Sequence, residues 1–305
     1  MKEQAAYIYG TAAHVWPVKE SQPDLSAQIQ AAWGKRFRRV NHFIELAMVG
    51  AKSCLAQLQE PLASDCDVYL ATEQGNVASV ASITEALFKH QESPMPLEFL
   101  NVPNNMAGFY IAQGLGLHSS NLTIAHRAFP FETALDIAMF NIATSHKTKA
   151  RALVGGVEEC AYPLSQHRQR MGIPMDTPLA EGSSWLYMGA ESQYALATCE
   201  WVKFFPEYNE LQTYLQNDHL PPSICLAGGY GVDKLTLDNL ANKLDIDNRY
   251  DCQANAPYHD TYCAYVIASF ISAHQGQNLL FINRDKHDRY VAVRISILDR
   301  ESIGE

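Results

Sequence analysis

Four kinds of residue in this 305-residue chain could do chemistry: seven cysteines, eleven histidines, paired carboxylates and one glycine-rich run. The cysteines stand at 54, 66, 160, 199, 225, 252 and 263, with no CxxC pair and mostly apolar neighbours. An odd count in such surroundings reads as reduced, buried thiols, the usage of a cytoplasmic protein. His14, His42, His118 and His167 have no spacing to Cys, Asp or Glu that would build a metal site, so no metal is expected. Glu158 and Glu159 adjoin, and on a strand they would face opposite ways, which argues against acid–base work by the pair. Gly228–Gly231 invites a phosphate reading but lacks the Gly-Lys-Ser/Thr ending of a P-loop.

Strands and helices must position these groups. Ala5–Ala13, Asp67–Thr72, Asn121–Ala125 and Arg151–Val157 read as short apolar strands. Between them, Arg39–Leu58 places Val40, Phe43, Ile44, Ala47, Met48, Ala51 and Leu55 at helical spacing, and Ala78–His90, Asn104–Leu117 and Glu132–Ser145 follow as helices. Glu158–Leu179 reads as a long irregular segment, of the kind that is functional or interfacial in a compact domain. Strands over Ser183–Gly189 and Tyr194–Lys203 come next. The remainder gives helices at Glu207–Leu215, Leu235–Leu244 and Thr261–Ala273, and strands at Ser223–Ala227, Gln277–Asn283 and Arg289–Leu298. This alternation argues for α/β layers, with the later elements partly repeating the order of the earlier ones.

Several of these segments, in order, resemble a β-ketoacyl synthase. Arg38-Arg39-Val40-Asn41-His42-Phe43 is similar to the entry of that family's first long helix, and Val154-Gly155-Gly156-Val157-Glu158 to its glycine-rich strand end. Met175-Asp176, then Ala180-Glu181-Gly182-Ser183-Ser184-Trp185-Leu186 and Ala190–Ala197, resemble the approach to the strands that close the first half. The resemblance implies a thiolase-like layered αβαβα fold of two pseudo-duplicated halves, residues 1–204 and an abbreviated 205–305.

It also implies a cysteine on a strained strand-to-helix turn, two histidines that polarise a thioester carbonyl, and a lysine. Matching the motifs residue by residue puts Ala128 in the cysteine's place, Gly228 in the first histidine's, Ala254 in the lysine's, and leaves His259 as the second histidine. His126, Arg127, Phe129 and Phe131 form the rest of the elbow, the two phenylalanines filling part of the acyl path. Cys160 lies away from the elbow and is a poor substitute nucleophile, and Glu132 in a first helical turn is accounted for by the helix dipole.

The reading is therefore a catalytically degenerate subunit, similar to chain-length factors and to the small ketosynthase-like proteins of aryl-polyene pathways. It would pair with an active ketosynthase in fatty acid or polyketide synthesis, with Asn101–Ala125 near the interface. It would use no cofactor beyond an acyl carrier protein or coenzyme A thioester as substrate carrier. Two alternatives stay open: an acyltransferase with non-cysteine chemistry centred on His259, and a non-catalytic acyl-binding homodimer. A formal charge of -10 argues against nonspecific nucleic-acid binding. The basic runs Lys35–Arg39 and His146–Arg151 are the local exceptions. An N-terminus without a long apolar stretch, and the absence of 18 consecutive apolar residues, point to a cytoplasmic protein with no membrane insertion.

Overall fold

A computed structural model describes residues 5–298 apart from positions 20, 36, 38, 39, 57, 147, 148, 253–255, 274 and 275. In chain order its elements are β1 (Ala6–Pro17), α1 (Ser26–Trp33), α2 (His42–Cys54), β2 (Asp67–Thr72), α3 (Val77–Glu85) with a π-helical turn over Ala86–His90, α4 (Pro96–Leu100), α5 (Asn105–Leu115), β3 (Asn121–Ala125), α6 (Pro130–Thr144) and β4 (Arg151–Glu158). Then follow α7 (Leu164–Met171), β5 (Ala180–Gly189), β6 (Ala197–Phe205), α8 (Tyr208–Asn217), β7 (Ile224–Gly228), α9 (Lys234–Leu244), β8 (Asn248–Arg249), α10 (Tyr262–Ala273), β9 (Asn278–Arg284) and β10 (Tyr290–Ile297).

Local chemistry accounts for several boundaries. Asn41 caps α2 by accepting the Ile44 amide at 3.1 Å on its side-chain oxygen, and α6 opens on a proline, whose missing N–H costs nothing there. Strands β4 and β5 are buried along their whole length, which explains their apolar or uncharged interiors between Arg151 and Glu158 in β4 and after Glu181 in β5.

The strands form one ladder in the order β3-β2-β4-β5-β1-β6-β10-β9-β7-β8. Its two fives are the same motif. In each set the first strand pairs antiparallel with the fifth, the fifth antiparallel with the fourth, the fourth parallel with the second, and the second parallel with the third. The sets join where β1 meets β6 over only Ala6↔Cys199, Tyr7↔Thr198 and Ile8↔Ala197. A division at 204/205 would put β6 in the first set, but its ladder with β10 over Ala197–Phe205 makes it the opening strand of the second.

Three apolar clusters define five layers. Phe43, Ile44, Met48 and Ile111 of α2 and α5 cover the outer face of the first set, against Leu70 and Trp185. Phe131 and Leu135 of α6 and Ile267 and Phe270 of α10 fill the space between the sets, against Val154 and Phe281. Leu211, Leu215 and Leu240 of α8 and α9 cover the second set's outer face. The sequence α-β-α-β-α is thus present, with the second set the smaller and its β8 only two residues long.

Two details depart from the sequence reading. The stretch 158–179, read as irregular, contains α7, and α1, α4 and β8 have no counterpart in the sequence reading. Arg151, counted in a basic surface run, is buried. Its guanidinium donates to Glu191 at 3.1 Å and lies 4.6 Å over the Tyr9 ring. In the same run Lys147 and Thr148, and in the other Arg36, Arg38 and Arg39, lie outside the described residues.

Candidate functional site

The parallel strands β2, β3 and β4 end on one side of the first set, and every functional position of that half lies there. After β3, His126 donates its amide to Thr72 O at 3.2 Å, and the chain turns through Arg127 and Ala128 into α6. The residue in the left-handed region is Phe129, at φ 55 and ψ 44, one place after Ala128. A bulky residue there stores strain of about 1–2 kcal/mol, held by burial of its ring and by the Thr133 amide donating to its carbonyl at 2.9 Å. Neither Ala128 nor Phe129 carries a nucleophilic atom. His126 turns inward on its own bend, with Nδ1 3.2 Å from the Ala128 amide nitrogen and 2.9 Å from the Ala128 carbonyl oxygen. Arg127 is exposed, and Phe131 is wholly buried in the central layer.

The second set brings its own positions to the same place. Gly228 ends β7, and a Cβ built on it would lie 2.4 Å from Leu237 Cδ1, so leucine occupies the room an imidazole would need. His259 lies just before α10, its ring laid over Gly182, where any side chain would collide with Cδ2 at 2.5 Å. Its Nδ1 is 3.0 Å from Pro257 O. That carbonyl can only accept, so Nδ1 carries the ring's proton and Nε2 is left as a lone pair. Nε2 is buried without a partner, and burial pushes the ring down to about 4, so at neutral pH it cannot donate a hydrogen bond to a carbonyl. Ala254 lies outside the described residues.

A cavity of about 460 Å³ joins these parts, lined by Arg127–Pro130 of the bend, Gly229–Gly231, Tyr258–Asp260 and Asn283–Lys286. It also holds Glu73, which the sequence reading passed over, as it did Asp260. The signal was present: Glu73 follows β2 and Glu158 ends β4, and these strands are parallel neighbours, with Ala71 opposite Gly156.

Four carboxyl groups are buried in this half of the molecule. Glu158 accepts the amides of Glu73 and of Gln74, the latter at 3.2 Å, and Glu159 accepts that of Ala78 at 2.8 Å. The pair thus diverges, each member spent on the loop that leads into α3. Glu132 accepts from Asn283 at 2.9 Å, and Glu181 accepts the Cys160 amide at 3.0 Å and lies 2.6 Å from His42 Nε2. Burial lowers the His42 ring's affinity for a proton, but the contact with Glu181 reverses this and leaves it raised overall. Burial pushes up the carboxyls of Glu132, Glu158, Glu73 and Asp260, the nearby Asp260 adding to the effect on Glu158 and Glu73. Burial, with a smaller push from Glu181, raises Glu159 to about 8 against the opposing Ala78 amide and His42. Cys160 is buried, its thiol raised by burial, and all seven cysteines are free and buried. Among the described residues no three His, Cys, Asp or Glu side chains are grouped to hold a metal, and no helix is long and apolar enough to cross a membrane.

These shifts set a stability profile. Carboxyls raised in the folded state stabilise it at low pH, and that contribution is lost as pH climbs from the usual carboxylate range through about 8. His259 and His167, both lowered to about 4, act oppositely and cost stability as pH falls from 6.5 through 4. Thermal unfolding is therefore expected to peak between these limits. Glu159→Gln, whose amide oxygen can still accept from Ala78, is expected to recover on the order of 3 kcal/mol on the alkaline side. A melting temperature that rises steadily to pH 8 in both proteins would contradict this assignment.

No protein-family model matches the sequence, and no curated protein matches it. Solved structures do. The ishigamide ketosynthase/chain length factor aligns with a TM-score of 0.71 at 14% identity, over 96% of this chain and 99% of that one. A type II polyketide synthase acyl-carrier protein in complex with its ketosynthase bound to the hexaketide aligns with a TM-score of 0.69 at 13% identity, over 97% and 100%. The PfaC keto synthase–chain length factor gives 0.70 at 10% identity, over 97% of this chain and 43% of that one. Paired five-stranded sets, a central layer of α6 and α10 and a site at their shared end agree with these alignments: the chain has the thiolase-like fold of ketosynthase and chain-length-factor proteins.

Proposed function

We propose that the protein is a catalytically degenerate, chain-length-factor-like subunit that pairs with an active ketosynthase and supports it in polyketide synthesis of the aryl-polyene kind. The observation that carries this is the bend itself. It keeps the strained strand-to-helix geometry but holds phenylalanine and alanine where an acyl chain would need sulfur or oxygen. Around it Gly228 offers no imidazole, and His259 presents a lone pair where a donor is needed. The alternative of carbonyl polarisation by His259 is disfavoured by the same tautomer.

The surface supports pairing. β3 is an edge strand of the ladder, and edges exposed in this way are completed by another chain or guarded against one. Phe88, Met95, Phe99, Leu100, Phe109 and Leu122 are all exposed along the segment that leads into β3, Phe109 on α5, which packs against that strand. Their place, overlapping residues 101–125, suits a partner of the same fold laying its own edge against β3. An acyl carrier protein, being acidic, would dock on the partner rather than on this acidic chain.

Co-expression with an active ketosynthase that has an intact cysteine is expected to yield a stable one-to-one complex. The isolated chain, incubated with acyl thioesters, is expected to show no covalent adduct by intact mass. A chain that co-purifies with no ketosynthase and forms a symmetric homodimer would favour the acyl-binding reading instead. An acyl adduct on any cysteine would end the degenerate one.

A further inference from the structure

The cavity beside the bend is not filled by the residues that replaced the catalytic groups, and its charges are segregated. Arg127 and Lys286 are exposed at its rim, while Glu73 and Asp260 are half-buried deeper in. Arg284 and Asp285, also on its wall, are engaged with Asp288 and Arg289. Asp260 accepts from the Tyr258 hydroxyl at 2.7 Å, whereas the Glu73 carboxylate makes no ion pair within 4 Å among the described residues. One wall is aromatic. The Tyr230 ring lies 4.4 Å from that of Tyr262 and 5.0 Å from that of Tyr258. The same wall includes His259, 4% exposed, with an unpartnered Nε2 lone pair. Acceptors and π-faces inside, with cations outside, form a polarity that a simple anion or a neutral acyl chain does not satisfy. An ammonium group satisfies the acceptors, and tyrosine faces add cation–π attraction.

We propose that this cavity binds a small zwitterion of the aminocarboxylate class, its ammonium group held by Glu73, Asp260 and the tyrosine wall and its carboxylate by Arg127 and Lys286 at the rim. The inference is independent of pairing with a ketosynthase. Glu73 is faced by Asp260 and Glu158, by Glu132 of α6, by Arg127 of the bend and by Lys286 of the β9–β10 turn. Burial and its acidic neighbours raise its affinity for a proton, so an arriving ammonium displaces that proton.

Calorimetric titration of the full chain with 4-aminobutanoate, butylammonium and butanoate tests this. Saturable binding of 4-aminobutanoate is expected, weaker binding of butylammonium, and none of butanoate. Binding should release protons, seen as heats that differ between phosphate and Tris buffers, and should tighten as pH rises from about 6 to 8. Glu73→Gln, isosteric and without an ion pair to lose, is expected to weaken 4-aminobutanoate about tenfold or more. Arg127→Ala should remove its advantage over butylammonium. No saturable binding of 4-aminobutanoate, an undiminished affinity in Glu73→Gln, or butanoate binding as well as the zwitterion would each overturn the proposal.

Discussion

Gly155→Ala is expected to destabilise the protein by about 3 kcal/mol or more, the upper range for overpacking a core. A Cβ at 155 would stand 2.1 Å from Cδ2 and 2.2 Å from Cε3 of Trp185, far inside contact distance. Trp185 cannot withdraw. It is fully buried on β5, directly opposite Gly155 on β4, and its Nε1 donates to Ser183 Oγ at 2.9 Å. Moving the indole would break that bond and disturb α2, whose Gly50 would already meet the same ring at 2.6 Å if it carried a methyl group. Urea unfolding would read the loss directly. Trp185→Phe lacks the benzo ring that the new methyl strikes, so the double variant is expected to be less destabilised than the two single changes summed. Wild-type stability in Gly155→Ala would mean that the glycine pair is not what lets the indole close the sheet against its helix layer.

Replacing Phe99 and Phe109 together by glutamate is expected to weaken association with the proposed ketosynthase partner at least about 100-fold, since each ring has the character of an interface anchor. Both rings are about half exposed in the single chain, 50% and 47%, so the substitution costs the chain itself within about 0.5 kcal/mol. Leu235 provides the contrast. It is 69% exposed but lies on α9, in the outer layer of the second set and away from the β3 edge, and Leu235→Glu should leave the complex intact. Co-purification yields and the dissociation constant of the complex measure both. Equal loss in the two proteins would point to general insolubility, and no loss in the double variant would remove the β3 edge as the interface.

Much of this was legible in the residues alone. The order of strands and helices follows from apolar periodicity, which is a local property, and most elements lie within a few residues of their expected places. The absence of sulfur or hydroxyl at the bend is also a local fact, readable at 126–132 without coordinates. Three things were not local. The allegiance of β6 depends on a ladder between residues nearly a hundred positions apart, and no period in 197–205 says which edge it will join. The strained residue proved to be Phe129, because backbone dihedrals at a bend are imposed by where the strand must end and the helix must start. Finally, Glu73, Glu132, Glu158 and Asp260 are scattered along the chain, and only the parallel pairing of β2 with β4 and the packing of α6 beside α10 collect them around one cavity. Their chemistry comes from burial and mutual repulsion, which exist only once the chain has folded and water has been excluded.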